Sequence, residues 1–164
     1  MQVNSVGQEI PPYLGTYFEI RKLLFSIKHQ ELESERLAII KSNLTPKQFN
    51  KEFGHLAMTF GRQTGATYWL SHQSKKLLEE GYRVTIVAMS HEMIQRIQHT
   101  YMEPWLSLNK SCKLSMITPH MSESKSIEAI SLADYVFVDV FELINSHMIN
   151  LIYAYFYGKL IVLL

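Results

Sequence analysis

Phe60-Gly61-Arg62-Gln63-Thr64-Gly65-Ala66-Thr67 sets two glycines, one cation and two hydroxyls in a short run. Glycine lacks a Cβ, so the backbone N–H groups of such a turn can approach an anion closely. An apolar run, His55 to Phe60, precedes it, and a helical pattern opens at Ala66. A helix that starts there aims its unpaired N–H groups and positive dipole end at the turn. Thr67, just inside that helix, offers a hydroxyl to Mg²⁺ beside bound phosphates. A second group lies far along the chain, where Tyr135-Val136-Phe137-Val138-Asp139 ends an apolar run on a carboxylate. Together these types suit phosphate and Mg²⁺ binding. The competing structural reading makes the glycine turn a plain strand-to-helix connection and Asp139 a cap for the next helix.

Other side chains carry weaker signals. The seven histidines are dispersed and form no His-x-x-x-His pair, so zinc is not indicated. Cys112 is the single cysteine, which excludes an intramolecular disulfide and suits a reducing compartment such as the cytoplasm. It reads as a small buried hydrophobe. Lys75-Lys76 reads as a solvated face, and Tyr153 to Tyr157 as core plus helix end.

The elements that position these residues follow from periodicity. Tyr13 to about Lys41 predicts helix, expected to pack on the core through Leu23, Leu24 and Ile27 or to mediate association, with a break near Lys41-Ser42-Asn43. Thr45-Pro46-Lys47-Gln48 predicts a capped helix start, and Gly54 its stop. Strands are then expected at 55–60, 83–89, 113–118, 135–140 and 160–164. Helices are expected at 66–80, from Ser90 to Pro104, around 127–132 and at 141–157. Near-continuous apolar strands alternating with helices imply a parallel sheet covered on both faces. The expected fold is therefore α/β, a three-layer sandwich with a mainly parallel five-stranded sheet. Residues 1–53 form a helical N-terminal segment and 54–164 the core. Segments 83–89 and 135–140, the most apolar, belong inside the sheet.

Composition sets bounds. With 164 residues and 47% hydrophobic side chains the chain can bury a full core. A formal charge of +1 excludes a global basic field of the kind that coats DNA. Met148 to Leu164 is apolar, but Gly158 and Lys159 interrupt it, so it reads as a buried helix and strand rather than a membrane span.

The Gly-Arg-Gln-Thr-Gly-Ala-Thr run resembles the Walker A loop in the ATPase domain of tailed-phage terminase large subunits and related helicase-like P-loop ATPases. Ser90 after the second strand and the Tyr135–Asp139 strand, which resembles Walker B, agree with it. The resemblance covers residues 55–164. It implies a P-loop fold that takes ATP or another nucleotide with Mg²⁺. The implied contacts are Gly61, Arg62, Gln63, Thr64, Gly65, Ala66, Thr67 and Asp139, with Thr67 and Asp139 toward the metal. Ala66 stands at the lysine position and Val140 at the catalytic glutamate position, with Glu142 two residues on. Phosphoryl transfer depends on positioning and charge stabilisation, so ATPase activity is expected to be weak or absent. Arg62 is the expected replacement cation.

The resemblance thus implies a small phage-encoded protein of the host cytoplasm. It would bind nucleotide or phosphate weakly, or no longer, and act through a protein partner. A nucleic-acid partner stays open, and no membrane is expected. Two alternatives remain: an active ATPase linked to phage DNA packaging, replication or remodelling, and an adaptor or inhibitor that mimics an ATPase core.

Overall fold

The computed structural model describes residues 11–61 and 63–164. Arg62, expected to supply a cation, lies outside the described residues. The chain opens with three helices, α1 (Pro12–Leu32), α2 (Glu35–Asn43) and α3 (Pro46–Glu52), followed by strand β1 (His55–Ala57). Helix α4 (Ala66–Glu79) and strand β2 (Val84–Val87) come next. Helix α5 (His91–Arg96) runs on into a π-helical turn, Ile97–Met102, and the short α6 (Trp105–Leu108). Then follow β3 (Leu114–Ile117), α7 (Glu123–Leu132), β4 (Tyr135–Val138), α8 (Ser146–Tyr155) and β5 (Leu160–Leu163).

Local chemistry explains several boundaries. Thr45 and Gln48 exchange bonds in a capping box at the start of α3. The Ser90 hydroxyl accepts from Met93 N–H and starts α5. The expected break near Lys41-Ser42-Asn43 is present, since α2 ends at Asn43, but the long expected first helix is divided a second time at Ser34. The Ser34 hydroxyl caps α2 by accepting from Leu37 N–H. The expected 141–157 helix is also divided. Phe141–Leu143 forms a single 3₁₀ turn, and Asn145 caps α8 by accepting from Met148 N–H.

All five strands are parallel, in the order β1-β5-β4-β2-β3. β2 and β4 lie inside the sheet and are buried throughout, as their apolar runs require. Alternate residues of β4 enter different clusters. Tyr135 and Phe137 join Trp69, Leu70 and Leu77 of α4 and Ile94 of α5. Val136 and Val138 join Ile130 of α7 and Met148, Leu151 and Ile152 of α8. Connections from β1 and β2 thus pass over one face, and those from β3 and β4 over the other. β5 enters the sheet through Gly158, where the chain presses on the carbonyls of Ala133 and Asp134. A Cβ would come within 2.6 Å of Asp134 O, so only glycine fits.

Helix α1 packs on the α4 face, and of the three expected residues only Leu24 packs against that cluster. Leu23 is 61% exposed and Ile27 53%. The inward stripe is Leu14, Phe18, Arg21, Phe25 and Leu32, three, four or seven positions apart and so on one face. Phe25 sits among aromatic rings, 5.9 Å from Trp69, 6.0 Å from Tyr135 and 6.4 Å from Phe137. The misassignment has a physical cause: a charged residue, Arg21, occupies the buried face, so hydrophobicity alone points to the wrong side. α3 is tied to the other side of the sheet, where Asn50 donates to the carbonyls of Tyr153 and Phe156 at the end of α8. No helix among the described residues is long and apolar enough to cross a membrane.

Candidate functional site

Because every strand is parallel, the segments after β1, β4 and β5 emerge on one edge of the sheet. The chain leaves β1 toward one face and β4 toward the other, while β5 lies between them. Such a divergence opens a crevice outside the carboxyl ends of the strands, where ligands of open parallel sheets bind. Two inter-strand spacings place β1 and β4 about 10 Å apart. A cavity of about 610 Å³ occupies this edge.

The turn after β1 forms one wall. Gly61 has φ +90° and Gly65 φ +74°, and Gln63 also lies in the left-handed region at φ 57°. Gly65 is the N-cap of α4 and has no side chain to cap the first N–H groups of that helix. Gly61, Gln63, Thr64, Gly65, Ala66 and Thr67 all line the cavity. This edge is therefore equipped to accept an anion: a helix start with its dipole and N–H groups turned to the opening.

Asp139 forms the opposite wall. Its backbone N–H bonds Val87 O and so continues the sheet by one residue. Its carboxylate is buried, at 1% exposure. The Thr67 hydroxyl reaches both carboxylate oxygens, at 3.1 and 3.2 Å, and the Val140 N–H also bonds it. Burial pushes the Asp139 carboxyl above its ordinary pKa, against the bonds from Thr67 and Val140 and the charge of Arg96, which favour the anion. Asp139 is therefore not a helix cap. The 3₁₀ turn that follows starts at Val140 without a side-chain cap bond. Val140 itself holds φ 51° and ψ 56°, a conformation costing a β-branched residue on the order of 1–3 kcal/mol.

Thr67 and Asp139 thus put two kinds of oxygen donor side by side. This set fits Mg²⁺, which keeps several waters and takes one or two protein oxygens together with substrate phosphates. No group of three or more His, Cys, Asp or Glu side chains among the described residues is placed to hold a metal.

Sequence reasoning missed part of the lining. Arg21 reaches the site from α1 and is 1% exposed. It donates at 2.6 Å to both the Thr64 carbonyl and the Thr64 hydroxyl. Its guanidinium carbon lies 5.2 Å from the centre of the Phe60 ring. Arg96, Glu142, Tyr13, Tyr68 and Tyr101 also line the cavity. The available signal for Arg21 was its place between Phe18 and Phe25 on one helical face, a position where an arginine needs a partner. Comparison with known proteins adds no family: no family model, no curated protein and no solved structure matches the chain.

Proposed function

We propose that this chain is a three-layer P-loop-type core that holds the phosphates of a nucleotide with Mg²⁺, binds weakly and turns over little. One observation carries the reading: the Thr67 hydroxyl, on the first turn of α4, hydrogen-bonds the buried Asp139 carboxylate from a strand two places away. A plain strand-to-helix connection has no need of that link. An Mg²⁺ site shared between a helix-start hydroxyl and a strand-end carboxylate needs the two groups side by side, as this bond holds them.

In this reading the backbone from Gly61 to Thr67 wraps the phosphates, and the start of α4 faces them. Thr67 and Asp139 hold the metal, whose charge offsets that of the phosphate oxygens. Tyr68 and Tyr101, 6.5 Å apart, offer ring faces on the same cavity. Ala66 supplies no ammonium, and Val140 no carboxylate to orient water. Action through a macromolecular partner is supported by Ile20, Leu23 and Ile27, exposed on the outer side of α1.

The test is thermal stabilisation by ATP and ADP, with and without Mg²⁺. A Mg²⁺-dependent rise in melting temperature that Thr67→Val removes is expected. A melting temperature indifferent to both nucleotides at millimolar concentration would sink the proposal. The active-ATPase alternative has one feature in its favour, since Glu142 lines the cavity. Steady phosphate release that Glu142→Gln abolishes would establish it instead.

A further inference from the structure

We propose that Arg21, delivered by α1, is the cation that neutralises the bound phosphates, in place of the lysine missing at position 66. The inference rests on the nucleotide-site reading above and adds the residue that supplies its charge.

Arg21 is a buried guanidinium with an incomplete set of partners. Thr64 satisfies two of its donors, but Nε is buried with no hydrogen-bond partner among the described residues. No carboxylate pairs with it in any ion pair among the described residues. Burial lowers its pKa, yet arginine stays protonated at working pH, so the charge remains. A buried cation held by Thr64 and by the rings of Tyr17 and Phe60, but by no carboxylate among the described residues, is costly in an empty fold. Here it lines the cavity into which the start of α4 also points. Both features favour the same occupant, an anion of high charge density. A phosphate oxygen would accept from the unused donors and offset the charge at once.

The route by which the cation arrives is also specific. Lysine in a phosphate loop belongs to the loop itself. Arg21 belongs to α1, which lies over the loop: Leu14 would be 3.7 Å from a Cβ at Gly65, and Phe18 packs 5.8 Å from Tyr68. Its grip on Thr64 sets the turn and presents the charge together. Bound phosphate and a docked α1 therefore stabilise each other, because only a docked α1 brings the guanidinium to the anion.

The experiment titrates inorganic pyrophosphate and Mg²⁺-ATP calorimetrically into the full chain. The wild type is compared with Arg21→Gln, Ala66→Lys and the double variant, and the arginine Nε–H resonances of the wild type are followed by NMR. Arg21→Gln should weaken both probes by about ten- to a hundredfold, the worth of a charge-assisted bond. Ala66→Lys should restore affinity in the Arg21→Gln background. A lysine there cannot rebuild the Thr64 bonds, so a rescue separates charge from bracing. The Arg21 Nε–H resonance should shift on addition of pyrophosphate. That measurement needs no variant and stands even where Arg21→Gln fails to fold. A wild type that binds while its Arg21 resonance stays still overturns the role of Arg21 alone. So does Arg21→Gln binding as tightly as wild type. A wild type that binds neither probe overturns the nucleotide site and this inference with it.

Discussion

Asp139→Asn should make the ligand-free protein more stable and the ligand-bound protein less so. The carboxylate is buried at 1% exposure, and among the described residues it takes part in no ion pair and has only Thr67 O–H and Val140 N–H as donors. The substitution keeps the shape and lets an amide oxygen retain the Thr67 bond. That bond falls from about 1.5–3 kcal/mol, for a charged acceptor, to about 0.5–1.5 kcal/mol. The new amide N–H₂ costs about 1–3 kcal/mol if unpaired. Against these stands relief from burying a charge, several kcal/mol per ion. The relief is the largest of the three, so the ligand-free variant should melt above the wild type. The pH dependence fixes the sign. A carboxyl whose folded pKa is raised binds more protons folded than unfolded just above the ordinary carboxylate range. Wild-type stability should therefore fall as pH rises through that window, and the variant should lose this slope. Below the ordinary carboxylate pKa both states are protonated and the charge advantage disappears. With Mg²⁺-ATP at a hundred times its dissociation constant the wild type gains about 2.7 kcal/mol, and the variant should lose the Mg²⁺-dependent part. Melting curves across pH, with and without Mg²⁺-ATP, read all of this. A lower neutral-pH melting temperature for the ligand-free variant would refute the reasoning and make Asp139 a structural bond acceptor.

Ala66→Lys should tighten ATP binding by roughly 1.5–3 kcal/mol, measured by calorimetry, since an ammonium at the helix start adds a charge-assisted bond. Phe25→Ala should cost about 3–5 kcal/mol in denaturant unfolding, because it empties the ring cluster that docks α1. Gly65→Ala should destabilise by more than about 1 kcal/mol and weaken anion binding, because φ +74° strains any L side chain. Phosphate release by the wild type under saturating Mg²⁺-ATP should stay at background, while turnover abolished by Asp139→Ala would contradict it.

Much of the sheet was legible because parallel strands buried on both faces leave unbroken apolar runs. The segments Val84–Val87 and Tyr135–Val138 are short, largely apolar, and β-branched or aromatic at every position, which favours buried strands. Caps at Thr45 and Ser90 were legible because they are local bonds between neighbours. The division at Ser34 and the 3₁₀ turn at Phe141–Leu143 were not. The first breaks a helix whose sequence favours continuation, and the second follows a valine held in an unfavourable left-handed conformation by its surroundings. Within the site, the turn and Asp139 announce themselves by residue type on contiguous segments. Arg21 does not. It lies 43 positions before the residue it grips, and only tertiary packing turns a helix-face arginine into a lining of the cavity.

The placement of β5 governs when the site can exist at all. β1 touches the rest of the sheet through β5 alone, with His55 beside Ile161. Until residues 160–163 insert, β1 and its turn have no edge to pair with, while β4, β2 and β3 can already form a sheet of their own. Closing a loop of this length is slow compared with the local contacts of β2 through β4. Asp139 and the helix that carries Thr67 pack on β2 and β4, whereas the β1 end of the glycine turn is anchored only when the last strand slides between β1 and β4. Pulsed hydrogen exchange during refolding should find the amides of β2–β4 protected before those of β1. Simultaneous protection of all five strands would remove that order of assembly.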